Sequence, residues 1–208
     1  MARALEITLA LLASGSLCLL QTRDAQAAPP GNWSLGVERI WGISRVTVDT
    51  EVGDDTRSET NTSVSLFSAL SGVRGYSSPR LALDYLSGSG VTFGGAFAYE
   101  SIDGDSSDEN VWLVAARVGY FGRPTPSFGI WPRAGLTHLA FDDNDDVDDD
   151  DPSATGLTLE VPLVFLVLGQ TLGLSIMPHA DIGLTGGTDT VDQTVTELGL
   201  QFGLNIFF

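Results

Sequence analysis

The chain has no lysine: all ten basic residues among its 208 are arginine, set against 27 acidic ones for a net charge of -17. Phosphate neutralisation needs clustered Lys and Arg, so this balance excludes a nucleic-acid partner. Cysteine is nearly absent too. The single one, Cys18, lies in the N-terminal segment, so the rest of the chain draws no stability from disulfides. The residues before it, Gly15, Ser16 and Leu17, do not resemble a lipidation site. After residue 28 there is no apolar run long enough for a spanning helix. If the protein sits in a membrane, it must do so as a closed barrel, the one β-structure that satisfies every backbone group in hydrocarbon.

The N-terminal segment is a targeting signal by pattern. Arg3 gives a short positive region, Leu5 to Leu20 is mostly apolar, and Ala25-Gln26-Ala27 is a small-x-small cleavage site. Residues 1–27 are expected to be a secretory signal peptide, and 28–208 the exported domain. Two acids and two arginines leave with the peptide, so the remainder keeps its net charge of -17. A mean hydropathy of +0.14 beside that charge means that apolar and acidic residues are segregated along the chain.

That segregation has a period. In Glu197 to Phe208, Leu198, Leu200, Phe202, Leu204, Ile206 and Phe208 share one side of an extended strand, opposite residues that are polar or small apart from Phe207. Similar alternation predicts strands over 32–47, 62–86, 91–99, 111–121, 127–141, 157–167 and 171–184. The piece from Thr62 to Leu86 is taken as one interrupted strand. Arg39 breaks the first strand's phase and would face lipid, so a bulge near Glu38 and Arg39 that turns it inward, or a place near an interface, is expected.

Four long polar stretches, Asp49 to Asn61, Ser101 to Asn110, Asp142 to Ser153 and Thr185 to Thr194, alternate with short returns and hold 19 of the 25 acids beyond residue 27. They are expected to be outer loops, which makes four hairpins and eight strands. The other charges, Glu38, Arg80, Asp84, Glu100, Arg117, Arg133, Glu160, His179, Asp181 and Glu197, fall on inward positions. They are expected to pair in a narrow lumen filled by side chains rather than an open channel. The fold class is therefore all-β: one closed antiparallel up-and-down barrel of eight strands.

The closing strand is similar to that of bacterial outer-membrane β-barrels, with apolar residues Leu200, Phe202, Leu204 and Ile206 at alternate positions back from an aromatic last residue, Phe208. As a whole, residues 32–208 resemble the small OmpA/OmpX-type barrels. The resemblance implies a Gram-negative outer-membrane location with both termini on the periplasmic side, and insertion by the barrel-assembly machinery guided by that C-terminal signal. Outer-membrane lipid and lipopolysaccharide would be its surroundings.

Candidate chemistry is sparse. Asp142, Asp143, Asp145, Asp146, Asp148, Asp149, Asp150 and Asp151 could bind divalent cations weakly, although the run lacks the Gly and terminal Glu of an EF-hand loop. His179, Asp181 and Ser175 could be read as a hydrolytic set, but the phase of their strand turns them inward, and a hydrogen-bonding role is expected instead. No catalytic residue and no cofactor are assigned. Three classes of function remain: a structural or interaction barrel acting through its acidic loops with an extracellular partner, a small channel, and a lipid-modifying enzyme. The first, as a monomer, is the expectation.

Overall fold

The computed structural model describes residues 31–208 except 53–54, 67–77, 104–107, 144–151 and 189–190. The proposed signal peptide therefore lies outside the described residues. Strand segments follow one another as β1 (Trp33–Val52), β2 (Asp55–Leu66), β3 (Arg80–Leu86), β4 (Val91–Asp103), β5 (Asp108–Tyr120), β6 (Gly122–Thr125), β7 (Phe128–Ile130), β8 (Arg133–Asp143), β9 (Ser153–Glu160), β10 (Leu163–Val167), β11 (Leu172–Thr188) and β12 (Val191–Phe207). Every pairing is antiparallel, and β12 pairs with both β11 and β1, so the sheet closes. The two ends of the chain are stitched at the seam, where Trp33 and Phe208 exchange backbone hydrogen bonds of 2.9 and 3.0 Å.

These segments reduce to an eight-stranded ring. β3 lies along Trp33–Glu38 of β1 and β2 along Trp41–Val52 of the same strand, so the two together make one interrupted strand. Prolines stand at two other interruptions, where a residue without N–H cannot donate to the ladder. Pro132 divides β7 from β8 and Pro162 divides β9 from β10, and their carbonyls still accept from Tyr120 and Trp131. β6, β7 and β10 prolong the wall at the rim where the chain ends meet. The return left between the expected strands 111–121 and 127–141 is tighter than those bounds suggest, since Gly122 and Thr125 already pair with Ile130 and Phe128.

The acidic stretches also differ from expectation. On the described residues they are largely strand: β1 and β2 stay in register out to Val52 opposite Asp55, and β4 and β5 to Asp103 opposite Asp108. Thr, Ser and Val alternate among these acids, and such residues favour extended backbone. Polarity there reports exposure to water, not the absence of a ladder. Asp142 and Asp143 end β8, while Asp145, Asp146, Asp148, Asp149, Asp150 and Asp151 lie outside the described residues.

The outer surface carries the apolar alternation. Leu35, Val37, Ile43, Leu81, Leu83, Phe93, Phe97, Val114, Val118, Leu136, Leu174, Leu200, Leu204 and Ile206 are all exposed. Aromatics flank this belt, with Trp33 and Tyr85 in edge contact towards the seam's end and Tyr99 and Trp112 paired towards the other. The inner face holds three layers. Leu86, Phe121, Trp131, Val164, Leu166 and Phe207 form a buried apolar plug at the end where the termini meet. A second apolar cluster, including Val46, Val111, Leu113, Leu139, Phe141 and Val195, fills the lumen towards the acidic hairpins. Leu139 and Phe141, whose phase is blurred in the sequence, are both inward and buried. Between the two apolar layers lie the charges.

Candidate functional site

β1 brings the first charges into the lumen through a bulge. Its register against β12 slips between Val37 and Trp41, and Arg39 adopts a φ of 55°, which a side chain of its size rarely takes. Both Glu38 and Arg39 therefore point inward and are buried, and the strand resumes its phase with Trp41 outside, stacked on Phe202 at 4.5 Å. The expected inward turn of Arg39 is thus realised by a bulge, at the cost of local strain.

Three arginines meet three carboxylates in the first group. Arg117 donates to both oxygens of Asp84, at 2.9 and 2.6 Å, and to both oxygens of Glu38, at 2.6 and 3.0 Å. Arg133 donates to Glu38 at 2.8 Å and lies 3.2 Å from Glu160. Arg80 reaches Glu160 at 3.3 Å and Glu38 at 3.4 Å. A planar guanidinium forks onto a carboxylate as an ammonium cannot, which is a physical use for a chain without lysine. Small residues opposite make room: a Cβ on Gly135 would come within 2.8 Å of the Arg117 Cβ. Within the terminal plug, Trp131 donates Nε1–H to Thr92 at 2.9 Å and its ring sits 4.6 Å from the Arg133 guanidinium.

The second group is less evenly matched. Arg39 forks onto Asp181, with Nη1 to Oδ2 at 2.7 Å and Nη2 to Oδ1 at 3.2 Å, and Thr158 donates to Asp181 Oδ1 at 2.6 Å. His179 lies on the same strand, its Nε2 3.5 Å from both Asp181 Oδ2 and Glu197 Oε1. That separation is beyond hydrogen-bond length. Among the described residues neither nitrogen of His179 and neither carboxylate oxygen of Glu197 has a hydrogen-bond partner. The side chains of His179, Asp181 and Glu197 are wholly screened from solvent. Gly199 is what admits the imidazole, since a Cβ there would lie 2.5 Å from His179 Cε1.

Of the inward charges named from the sequence, Glu38, Arg80, Asp84, Arg117, Arg133 and Glu160 are drawn into the first group, and His179, Asp181 and Glu197 into the second. Glu100 sits higher on the inner face, half-buried, opposite Val111. Sequence reasoning missed Thr158 and Trp131, because nothing in the alternation marks a threonine or tryptophan as the partner of a charge several strands away. Ser175 is buried on the inner face but makes no hydrogen bond to His179, so the contact that would activate a nucleophilic serine is not formed. Leu200, Leu204, Ile206 and Phe208 of the closing strand are exposed on the outer wall, with Phe202 partly covered there by Trp41.

No family model matches the chain, and no curated protein does. Among solved structures the chain is similar to Neisserial surface protein A, at 12% identity over 86% of this chain and 98% of that one, with a TM-score of 0.49. It is also similar to the outer membrane protein OprG of Pseudomonas aeruginosa, at 10% identity over 87% and 99% with a TM-score of 0.48. Outer membrane protein AlkL, solved in lipid bilayers, matches at 14% identity over 88% and 92% with a TM-score of 0.47. The barrel itself stands on this chain's own closed ladder.

Proposed function

We propose that the chain is an integral outer-membrane barrel of structural or interaction type, without catalytic activity, that offers its acidic hairpins to an extracellular partner. One observation carries this reading: a continuous apolar outer wall surrounds a lumen closed by apolar layers above and below its ion pairs. Tyr120 lies eight residue steps beyond Trp112 along β5, or about 26 Å of strand before tilt, comparable with the roughly 25 Å apolar band of an outer-membrane barrel. With the lumen filled, the parts left free to meet another molecule are the strands that continue past Trp112 and Tyr99 into the acidic segments.

In this reading residues 1–27 are removed on export and the barrel-assembly machinery inserts a monomer among lipopolysaccharide. A secondary part of the proposal is weak, non-stoichiometric binding of divalent ions by the run from Asp142 to Asp151, the ions bridging it to lipopolysaccharide phosphates. Calorimetric titration of Ca²⁺ into wild type and a 142–151 deletion should differ, and equal heats would remove that part. The function is tested by protease treatment of intact cells together with partner capture. The acidic tips should be cut from outside while the barrel stays protected, and shortening the 49–61 and 142–153 hairpins should abolish capture and leave heat-modifiable migration intact. A processed protein that is soluble without detergent would overturn the reading.

A further inference from the structure

We propose that His179, Asp181 and Glu197 form a buried site for one divalent transition-metal ion of the zinc class, set in the barrel wall where β11 meets β12. Asp181 pairs directly with Glu197 across these strands, and His179 pairs with Gly199, so the three side chains converge from three consecutive ladder positions. One donor atom from each lies within 4.8 Å of the others.

Three observations point to a cation. The first is distance. Ligands about 2.1 Å from a tetrahedral ion stand about 3.4 Å apart along each edge. His179 Nε2 lies 3.5 Å from a carboxylate oxygen on each side, too long for hydrogen bonds and close to that edge. The second is the set of orphaned atoms. A fully buried carboxylate with both oxygens lacking a hydrogen-bond partner, facing an imidazole with both nitrogens in the same condition, is costly unless something fills the gap. The third is charge. The first lumen group balances three guanidiniums against three carboxylates, whereas among the described residues Arg39 is the one arginine ion-paired within the second group, which holds two carboxylates. Asp181 Oδ2 accepts from Arg39 with one lone pair and keeps another for an ion. Arg39 and Thr158 then hold that carboxylate in place as outer-shell groups hold metal ligands. Imidazole with two carboxylates is a donor set of intermediate softness, suited to zinc more than to calcium or magnesium.

The three side chains are wholly screened from solvent by the described residues, so in this proposal the ion enters while the barrel forms. The full-length exported chain is folded in detergent with ZnCl₂, freed of loose metal, and its zinc counted by mass spectrometry beside Glu197→Gln and His179→Phe, each first checked for heat-modifiable migration. Wild type should hold about one zinc per chain more than either variant, and zinc on the acidic hairpins cancels in that difference. Chelator present during folding should prevent loading, while chelator added afterwards should strip it slowly. Wild type folded with Co²⁺ should show the visible absorption of a tetrahedral ion, a readout that needs no variant to fold. Zinc equal in wild type and variants, or a folded wild type with no such Co²⁺ spectrum, overturns the site. So does an NMR spectrum of zinc-treated wild type with protons on both His179 nitrogens, which would mean that a proton fills the gap. Each of these outcomes leaves the barrel and its hairpins unaffected.

Discussion

Replacing Arg39 by Met leaves Asp181 buried with only the Thr158 hydroxyl still donating to it. A buried carboxylate stripped of its guanidinium costs about 3 to 5 kcal/mol. The bulge that turns Arg39 inward would then hold a strained φ without the ion pair that offsets it. R39M should therefore unfold at markedly lower urea in lipid vesicles. The double variant R39M/D181N should regain a large part of the loss, since it leaves no bare charge, and that coupling is the signature of the pair. If the two single losses simply add, Arg39 and Asp181 do not depend on each other and the fork is incidental. The bulge was one of the two readings open for Arg39 beforehand, because two charges in succession put one of them on the lipid side of a regular strand. Which carboxylate Arg39 would meet was not legible, as Asp181 is 142 residues away.

For the strands, alternation decided more than composition did. It assigned the sides of the wall correctly for Trp33, Leu35, Val37 and Glu38 in β1 and for Trp112, Val114 and Arg117 in β5, because a period of two has only one inward set. It did not give depth. Leu113, Leu139 and Phe141 point inward like Arg117, and only their level in the barrel makes them a seal rather than part of the charged layer. Composition misled at the hairpins, where acidic stretches continue the ladder instead of ending it. Level and environment can be separated by one substitution made twice. An Arg at Leu200, on the outer wall opposite Ile43, meets lipid and should cost about 2 to 4 kcal/mol. An Arg at Thr56, exposed on β2 opposite Glu51, meets water and should stay within about 0.5 kcal/mol of wild type. Urea titrations of both in vesicles measure the difference, and equal costs would mean that the membrane boundary does not fall between these positions.

At the scale of the molecule, the lumen is three barriers in series. An ion crossing from the hairpin end would first leave water at Val111, Leu113, Leu139 and Phe141, then pass the guanidinium and carboxylate network, then leave polar contacts again at Phe121, Trp131 and Phe207. Apolar constrictions exclude water and so oppose ions even where their radius would admit them. Barriers in series are governed by the tallest, so opening the middle layer does not open the path. The pore reading implies that losing Arg117 should raise conductance, but the layered lumen implies otherwise. R117A should destabilise the barrel by stranding Glu38 and Asp84, yet in planar bilayers it should give no more current steps than wild type, which itself should give none. Steps in R117A would mean that the charged layer is the only gate. Steps in wild type would mean that the apolar layers part in a membrane, and the role assigned to the hairpins would have to be shared with the lumen.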